Sequence, residues 1–257
     1  MALRLMAMEL SAGGMDWRFT DAELQVGEDR VRAQGRVRLG SAGTSFGELD
    51  LTFSPLAVAR MEPWLEEPLP FEGSVQGRLV LDGPLDSVRT TGNLTLEPDS
   101  GSGAAPTVAD FDGVLHLGES LGASGFQALL DPLDYALLGP ALGGGEGLAG
   151  TGRLNVEATG RLAEGLRFIG EATHAMPGVP ESRVLANGSV RRGDEGVVVD
   201  VQGDLATFSL GALTALRDGL PLEGSVTGSV RVRGPLWDLV VTASVSDGRG
   251  SADLEVG

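Results

Sequence analysis

The chain contains no cysteine, which removes disulfides, thiolate metal sites and thiol nucleophiles, and suits either the cytosol or an envelope compartment. Positive charge is scarce: 19 Lys and Arg stand against 36 Asp and Glu, for a net charge of −17. That balance argues against a nucleic-acid backbone as partner and disfavours purely electrostatic docking on anionic lipid. Aromatics make up only 5% of the 257 residues, so a core built from this chain is lined by small aliphatic groups rather than filled by rings. No run approaches the roughly 20 apolar residues of a membrane span. The first ten residues, MALRLMAMEL, carry Arg4 and Glu9 where a signal peptide has an uninterrupted apolar region, and they read as a strand. The chain stops partway through a block of strands, so it is expected to be a piece of a longer protein, with any membrane anchor or export signal outside it.

What is present is a repeat. Leu69–Val88, LPFEGSVQGRLVLDGPLDSV, returns as Leu220–Leu239, LPLEGSVTGSVRVRGPLWDL, with ten identities in twenty and no gap. A weaker copy, LAGTGRLNVEATG, lies between them at Leu148–Gly160, and the central glycines Gly77, Gly152 and Gly228 are 75 and 76 residues apart. Self-similarity at a fixed period is the signature of a repeat architecture. The expected division is repeat 1 over 1–68, repeat 2 over 69–143, repeat 3 over 144–219 and a partial repeat 4 over 220–257.

Within each repeat the polarity alternates with a period of two, the pattern of a strand with one dry and one wet face. Val31, Ala33, Gly35, Val37 and Leu39 oppose Arg30, Arg32, Gln34, Arg36 and Arg38; Gly152, Leu154, Val156 and Ala158 oppose Arg153, Asn155, Glu157 and Thr159. Strands are expected near 3–10, 15–26, 29–39 and 45–53, then from Val75, Gly92, Phe111 and 123–130. Further strands are expected near 148–160, 165–174, 182–192, 196–205, 222–234, 238–247 and 250–257. Residues 98–106, PDSGSGAAP, read as a flexible loop. Short helices are expected after every fourth strand, over 55–66, 132–138 and 210–217, because Ser54-Pro55-Leu56, Asp131-Pro132-Leu133 and Ser209-Leu210-Gly211 each put a capping oxygen before an apolar run. The fold class that follows is mainly β: an elongated, curved antiparallel sheet of about 75-residue repeats, four strands and one short helix each.

An apolar sheet face cannot stay flat and uncovered in water. One short helix per repeat is too little to cover four strands, so the sheet is expected to curve into a trough with a thinly filled apolar channel that suits acyl chains. An ordinary sandwich or solenoid with interdigitated sides predicts the same alternation, and the two stay open at this point.

The repeated phrase, a short helix followed by G-x-[VT]-x-G-x-[LV]-x-[LV], GPL and a G-x-L-x-L strand, is carried by Gly73–Leu81, Gly83-Pro84-Leu85 and Gly92–Leu96, and again by Gly224–Val232 and Gly234-Pro235-Leu236. It resembles the TamB/AsmA-like envelope proteins. The middle copy departs from the pattern, with Gly160-Arg161-Leu162 in place of GPL. The resemblance implies a taco-like β-groove in the periplasm, bridging inner and outer membrane for phospholipid and, in TamB-like members, linked to outer-membrane protein assembly. Members carry an N-terminal membrane anchor and a C-terminal domain facing the outer membrane, and neither is visible in this chain.

Enzymatic readings find little to work with. His116 and His174 fall on the polar phase of expected strands and read as solvated, without metal-ligand spacing. Asp131 and Asp134 read as helix-start residues, Glu66-Glu67 as a wet helix end, and Gly143-Gly144-Gly145 as a loop with no P-loop lysine. Trp17, Trp64 and Trp237 read as packing anchors. No catalytic residue, metal or cofactor is expected.

The leading expectation is therefore a non-enzymatic groove segment with phospholipid acyl chains as cargo and outer-membrane assembly proteins as further partners. Its lining is expected at Val75, Leu79, Leu81, Leu154, Val156, Val226, Val230 and Val232, which share one phase in the repeat copies. A structural or adhesive β-solenoid spacer with a filled core, and an assembly chaperone that binds unfolded strands through its open edge, are the alternatives.

Overall fold

A computed structural model describes residues 2–4, 7–11, 14–41, 43–60, 73–99, 103–118, 120–138, 149–193, 196–214 and 223–256. These residues form two compact units, 1–126 and 127–257.

In the N-terminal unit, β1 (Ala2–Arg4) and β2 (Ala7–Ser11) both pair with β3 (Gly14–Val26). The sheet continues through β4 (Asp29–Gly40), β5 (Gly43–Ala57), β6 (Gly73–Pro84), β7 (Val88–Pro98) and β8 (Thr107–His116), each antiparallel to the strand before it. The unit boundary falls within β9 (Gly122–Asp134). The C-terminal unit runs β10 (Thr151–Arg161), β11 (Leu166–Met176), β12 (Val179–Gly193), β13 (Gly196–Ser209), β14 (Ser225–Pro235), β15 (Val240–Ser246) and β16 (Ser251–Val256), again with every ladder antiparallel. Both sheets are open: among the described residues no ladder joins a first strand to a last one. The mainly β, all-antiparallel, open-sheet class expected from the alternation is the class observed, interspersed with short helical elements.

Two of the three expected helix starts are displaced, and the third, after Ser209, lies within one residue of its expected place. Ser54, Pro55 and Leu56 belong to β5, and helical structure begins only with a 3-10 turn at Val58–Arg60. Asp131, Pro132 and Leu133 belong to β9, with the 3-10 turn at Tyr135–Leu138 after them. Ser209 ends β13, and a four-residue helix follows at Gly211–Thr214. The remainder of the expected helices, including Trp64 and Glu66-Glu67, lies outside the described residues. The reason is visible in the register. The β5–β6 ladder shifts between Phe53 and Leu56, so Ser54-Pro55 is a bulge, where a proline without an amide proton is tolerated. A bulge and a helix start select similar residues, and only pairing with the next strand separates them. The bulge also places Phe53 and Leu56, three positions apart, on one face.

Both units bury residues most deeply beside these helical turns. Leu56, Val58 and Val75 are buried at the end of β5, Val88 after the 3-10 turn at Leu85–Ser87, and Leu133 and Ala212 at the corresponding places in the C-terminal unit.

Candidate functional site: an apolar sheet face

Residues opposite one another in an antiparallel ladder share a face. Register alone therefore assembles the expected lining into rungs. In the C-terminal unit one rung runs Leu154, Ala172, Val184, Leu205, Gly228, Val245. The next runs Val156, Gly170, Ala186, Gly203, Val230, Ala243 and Leu254, and the third Ala158, Phe168, Gly188, Val201, Val232, Val241. Val156 and Val230 thus share a rung four strands apart, about 19 Å. Leu154 and Val232 lie on the rungs flanking it, and Val226 lies opposite Phe208, towards the helical turn. Sequence alternation supplied the phase of five of these positions. Their neighbours Phe168, Val184, Ala186 and Val201 have the same phase and were missed because pairing, not alternation, shows which residues meet.

In the N-terminal unit Val75 lies between Leu56 and Leu96, Leu79 between Leu51 and Gly92, and Leu81 between Leu49 and Thr90. Val75 is buried, whereas Leu79 and Leu81 are half-buried.

Exposure decides what this face can do. On the three rungs of the C-terminal unit every aliphatic side chain from β10 to β15 is half-buried, none is buried, and Leu254 on the outer strand is 57% exposed. Such side chains rest on their neighbours within the sheet, and no second layer of the described residues lies against them.

The repeat glycines make the sheet possible. Gly77 and Gly228 have φ of +129° and +145°, and a Cβ on either would overlap a facing carbonyl oxygen, of Asn93 and of Ser244. At Gly152 a Cβ would overlap the Thr173 carbonyl oxygen. The phrase that defines the repeat in sequence is in space the place where adjacent strands touch backbone to backbone.

The opposite face is polar and held by ion pairs across strands. All 19 basic residues are arginine, and the fork geometry is used: Arg78 donates Nε and Nη2 to the two Asp50 carboxylate oxygens at 2.9 and 2.7 Å, and Arg231 donates to Asp200 at 3.0 and 3.0 Å. The hydrogen bond from Arg231 holds the Asp200 carboxyl below the usual carboxylate range, and the Asp50 bond pushes the Arg78 guanidinium up. Arg183–Glu171, Arg36–Asp16 and Arg32–Glu23 repeat the device. These pairs are exposed and stabilise little individually; they keep the charged phase on the wet side. Apolar residues interrupt that face in places; in the C-terminal unit Ile169, at 61% exposure, and Leu185 lie beside a hollow edged by Gln127, Asn155, Glu157 and Glu171.

Two readings of single residues need correction. His174 is not solvated. It lies opposite Gly152 and Ser182 on the apolar face, 8% exposed, and its Nε2 donates to the Ala149 carbonyl at 2.7 Å. Its ring meets Tyr135 edge to face at 5.0 Å, and the Tyr135 hydroxyl donates to the Thr173 carbonyl at 2.8 Å; burial pushes the Tyr135 phenol up. The 3-10 turn that covers this end of the strand makes the difference, and alternation carries no sign of it. His116 is half-buried, donating from Nδ1 to the Asp86 carbonyl while Nε2 accepts from Ser124 Oγ at 2.8 Å. Trp237 is no packing anchor: it is 66% exposed in the turn after β14, whereas Trp17 is half-buried on the apolar face opposite Val37. Asp134 is buried and its Oδ1 accepts from the Ala136 amide at 2.9 Å, so it caps the 3-10 turn as a helix-start residue does.

Among the described residues no group of three or more His, Asp or Glu is placed to hold a metal ion, and no helix is long and apolar enough to cross a membrane. Comparison with family models, with curated proteins and with solved structures found no match.

Proposed function

We propose that the C-terminal unit shelters acyl chains of phospholipid on its apolar face, as a non-enzymatic segment of a periplasmic protein that passes lipid between inner and outer membrane. The observation that carries this reading is the set of three half-exposed aliphatic rungs, continuous over six strands and bounded on the other side of the sheet by paired charges. Hiding one CH₂ is worth ~0.8 kcal/mol, so a chain of ~16 carbons carries roughly 13 kcal/mol that a break in the track partly forfeits. The resemblance of the repeated phrase to TamB/AsmA-like proteins favours phospholipid as the cargo and the envelope as the place. Native mass spectrometry with lipid extraction tests it. The full chain is expected to carry phospholipid and to lose it in Val230→Asp, a charge at the middle of the central rung; a lipid-free wild type, or lipid unaffected by that substitution, refutes the reading.

A second reading, a spacer with a filled interior, is favoured in the N-terminal unit by one observation. The Phe111 ring lies over Gly92 and stacks with Phe126 at 6.1 Å between centroids, so rings occupy the rung that holds Leu79. Protein partners, outer-membrane assembly factors among them, then replace lipid as the ligand, and co-purified lipid that survives Val230→Asp but is lost in Leu79→Asp would reverse the assignment of the two units.

A further inference from the structure

On the apolar face of the C-terminal unit, among the described residues, one side chain carries a permanent charge: Arg192. Strand β12 alternates Val184, Ala186, Gly188 and Val190 onto that face, and Arg192 is next in the same phase. It lies opposite Val197, its amide donates to the Leu162 carbonyl at 2.8 Å, and the Leu236 amide donates to the Val197 carbonyl at 3.1 Å. The last rung of the face is therefore Leu162, Arg192, Val197 and Leu236, an exposed guanidinium set among aliphatic groups.

Eleven other arginines among the described residues pair with a carboxylate. Arg192 has no such partner among the described residues. The Asp200 carboxylate near this end is taken by Arg231 and Arg233 at 3.0 and 3.3 Å. Asp194 and Glu195, which follow β12 in the chain, lie outside the described residues. Arg167 and Arg191, on the polar face at the same end, likewise form no ion pair among the described residues. The turn beside them exposes Leu236 and Trp237 at 59% and 66%, and an indole is suited to the boundary between apolar and aqueous surroundings.

The spacing fits an amphiphile. From Val190 to Val184 is six residues, about 20 Å of aliphatic track, comparable to an extended chain of ~16 carbons. Arg192 stands two residues, about 7 Å, beyond its end. A guanidinium presents parallel N–H donors that match two oxygens of a phosphate.

We propose that Arg192 anchors the headgroup of the bound lipid: its guanidinium grips the phosphate of a diacyl phospholipid whose chains lie down the face past Val190 towards Val184. This rests on the lipid reading above and adds to it a requirement for phosphate and a polarity of binding, headgroup at the Leu236 end.

The test is a competition on the full chain between dioleoyl phosphatidylglycerol and dioleoylglycerol, which share acyl chains and differ in the phosphate-bearing headgroup, read by native mass spectrometry. The wild type is expected to prefer the phosphate-bearing lipid about tenfold, with the ratio falling towards one in Arg192→Gln and partly restored in Arg192→Lys. Equal uptake of both lipids by the wild type, or an unchanged ratio in Arg192→Gln, overturns the anchor while leaving the groove standing. Uptake of neither lipid overturns the groove and the anchor together. Excess inorganic phosphate is expected to leave the phospholipid bound; displacement by phosphate alone would show an anion site without lipid selectivity and overturn the proposal.

Discussion

In the N-terminal unit the rung through Leu79 runs Leu51, Leu79, Gly92 and then Phe111, whose ring covers the glycine. In the C-terminal unit the equivalent position in the repeat, Val230, has Gly203 on one side and Ala243 on the other, and a Cβ on Gly203 would meet first the methyls of Val230 and Val184. The same sequence phrase thus builds one rung covered by a ring and one lined by methyl groups. The rim differs too. Leu85 is half-buried, its carbonyl accepting from Leu117 at 2.9 Å, whereas its counterpart Leu236 and the following Trp237 project into solvent. Alternation fixes which side is dry; the size of the residue on the neighbouring strand decides whether that side is full.

The strongest challenge to the equivalence of the two copies is Gly77→Val against Gly228→Val. Each places a side chain at positive φ against a facing carbonyl, and each is expected to cost more than about 3 kcal/mol, read by chemical denaturation. A mild effect at one site alone would break the equivalence. Next in size is Phe111→Ala, expected to cost about 2 kcal/mol through lost ring packing, against about 1 kcal/mol or less for Val230→Ala in the thinly lined face. Equal losses would erase the distinction between filled and lined. Tyr135→Phe removes the bond to Thr173 and is expected to cost about 1 kcal/mol. Because burial raises the Tyr135 phenol, the wild type keeps that contribution below the ordinary phenol pKa of about 10 and loses it as pH rises further; Tyr135→Phe should flatten that alkaline loss. The smallest effect is expected at Asp200, whose lowered carboxyl gives a contribution present above the ordinary carboxylate pKa and lost as pH falls through the lowered value. The pair is solvent-accessible, so Arg231→Gln should shift the acid limb of a thermal-melt pH profile barely, and less still in high salt.

Strand order, strand phase and the polarity of each face were legible in the sequence because β periodicity is two and most strands keep it without interruption. β4 and β10 were read almost to the residue: 29–39 against Asp29–Gly40, and 148–160 against Thr151–Arg161. What escaped was whatever depends on a neighbour. The bulge at Ser54-Pro55 imitates a helix start, and β9 continues four residues past its expected end because Leu133 is buried beside the following turn. His174 has the alternation of a wet-face residue only if the register is set one position off; paired with Gly152 it belongs to the dry face. Arg192 was hidden for a similar reason: two adjacent arginines look alike in sequence, and only the facing Val197 shows that Arg192 and Arg191 point to opposite sides.

Within each unit, ladders beyond the first hairpin join strands that follow one another in the chain. No segment is threaded between two others, so loop closure costs little at each step and a hairpin can zip onto one already formed. Such a sheet lengthens by adding a hairpin and shortens by losing one without rerouting the rest. A face assembled in this way is modular from strand to strand, and single strands can be exchanged to retune one rung while its neighbours keep their registers.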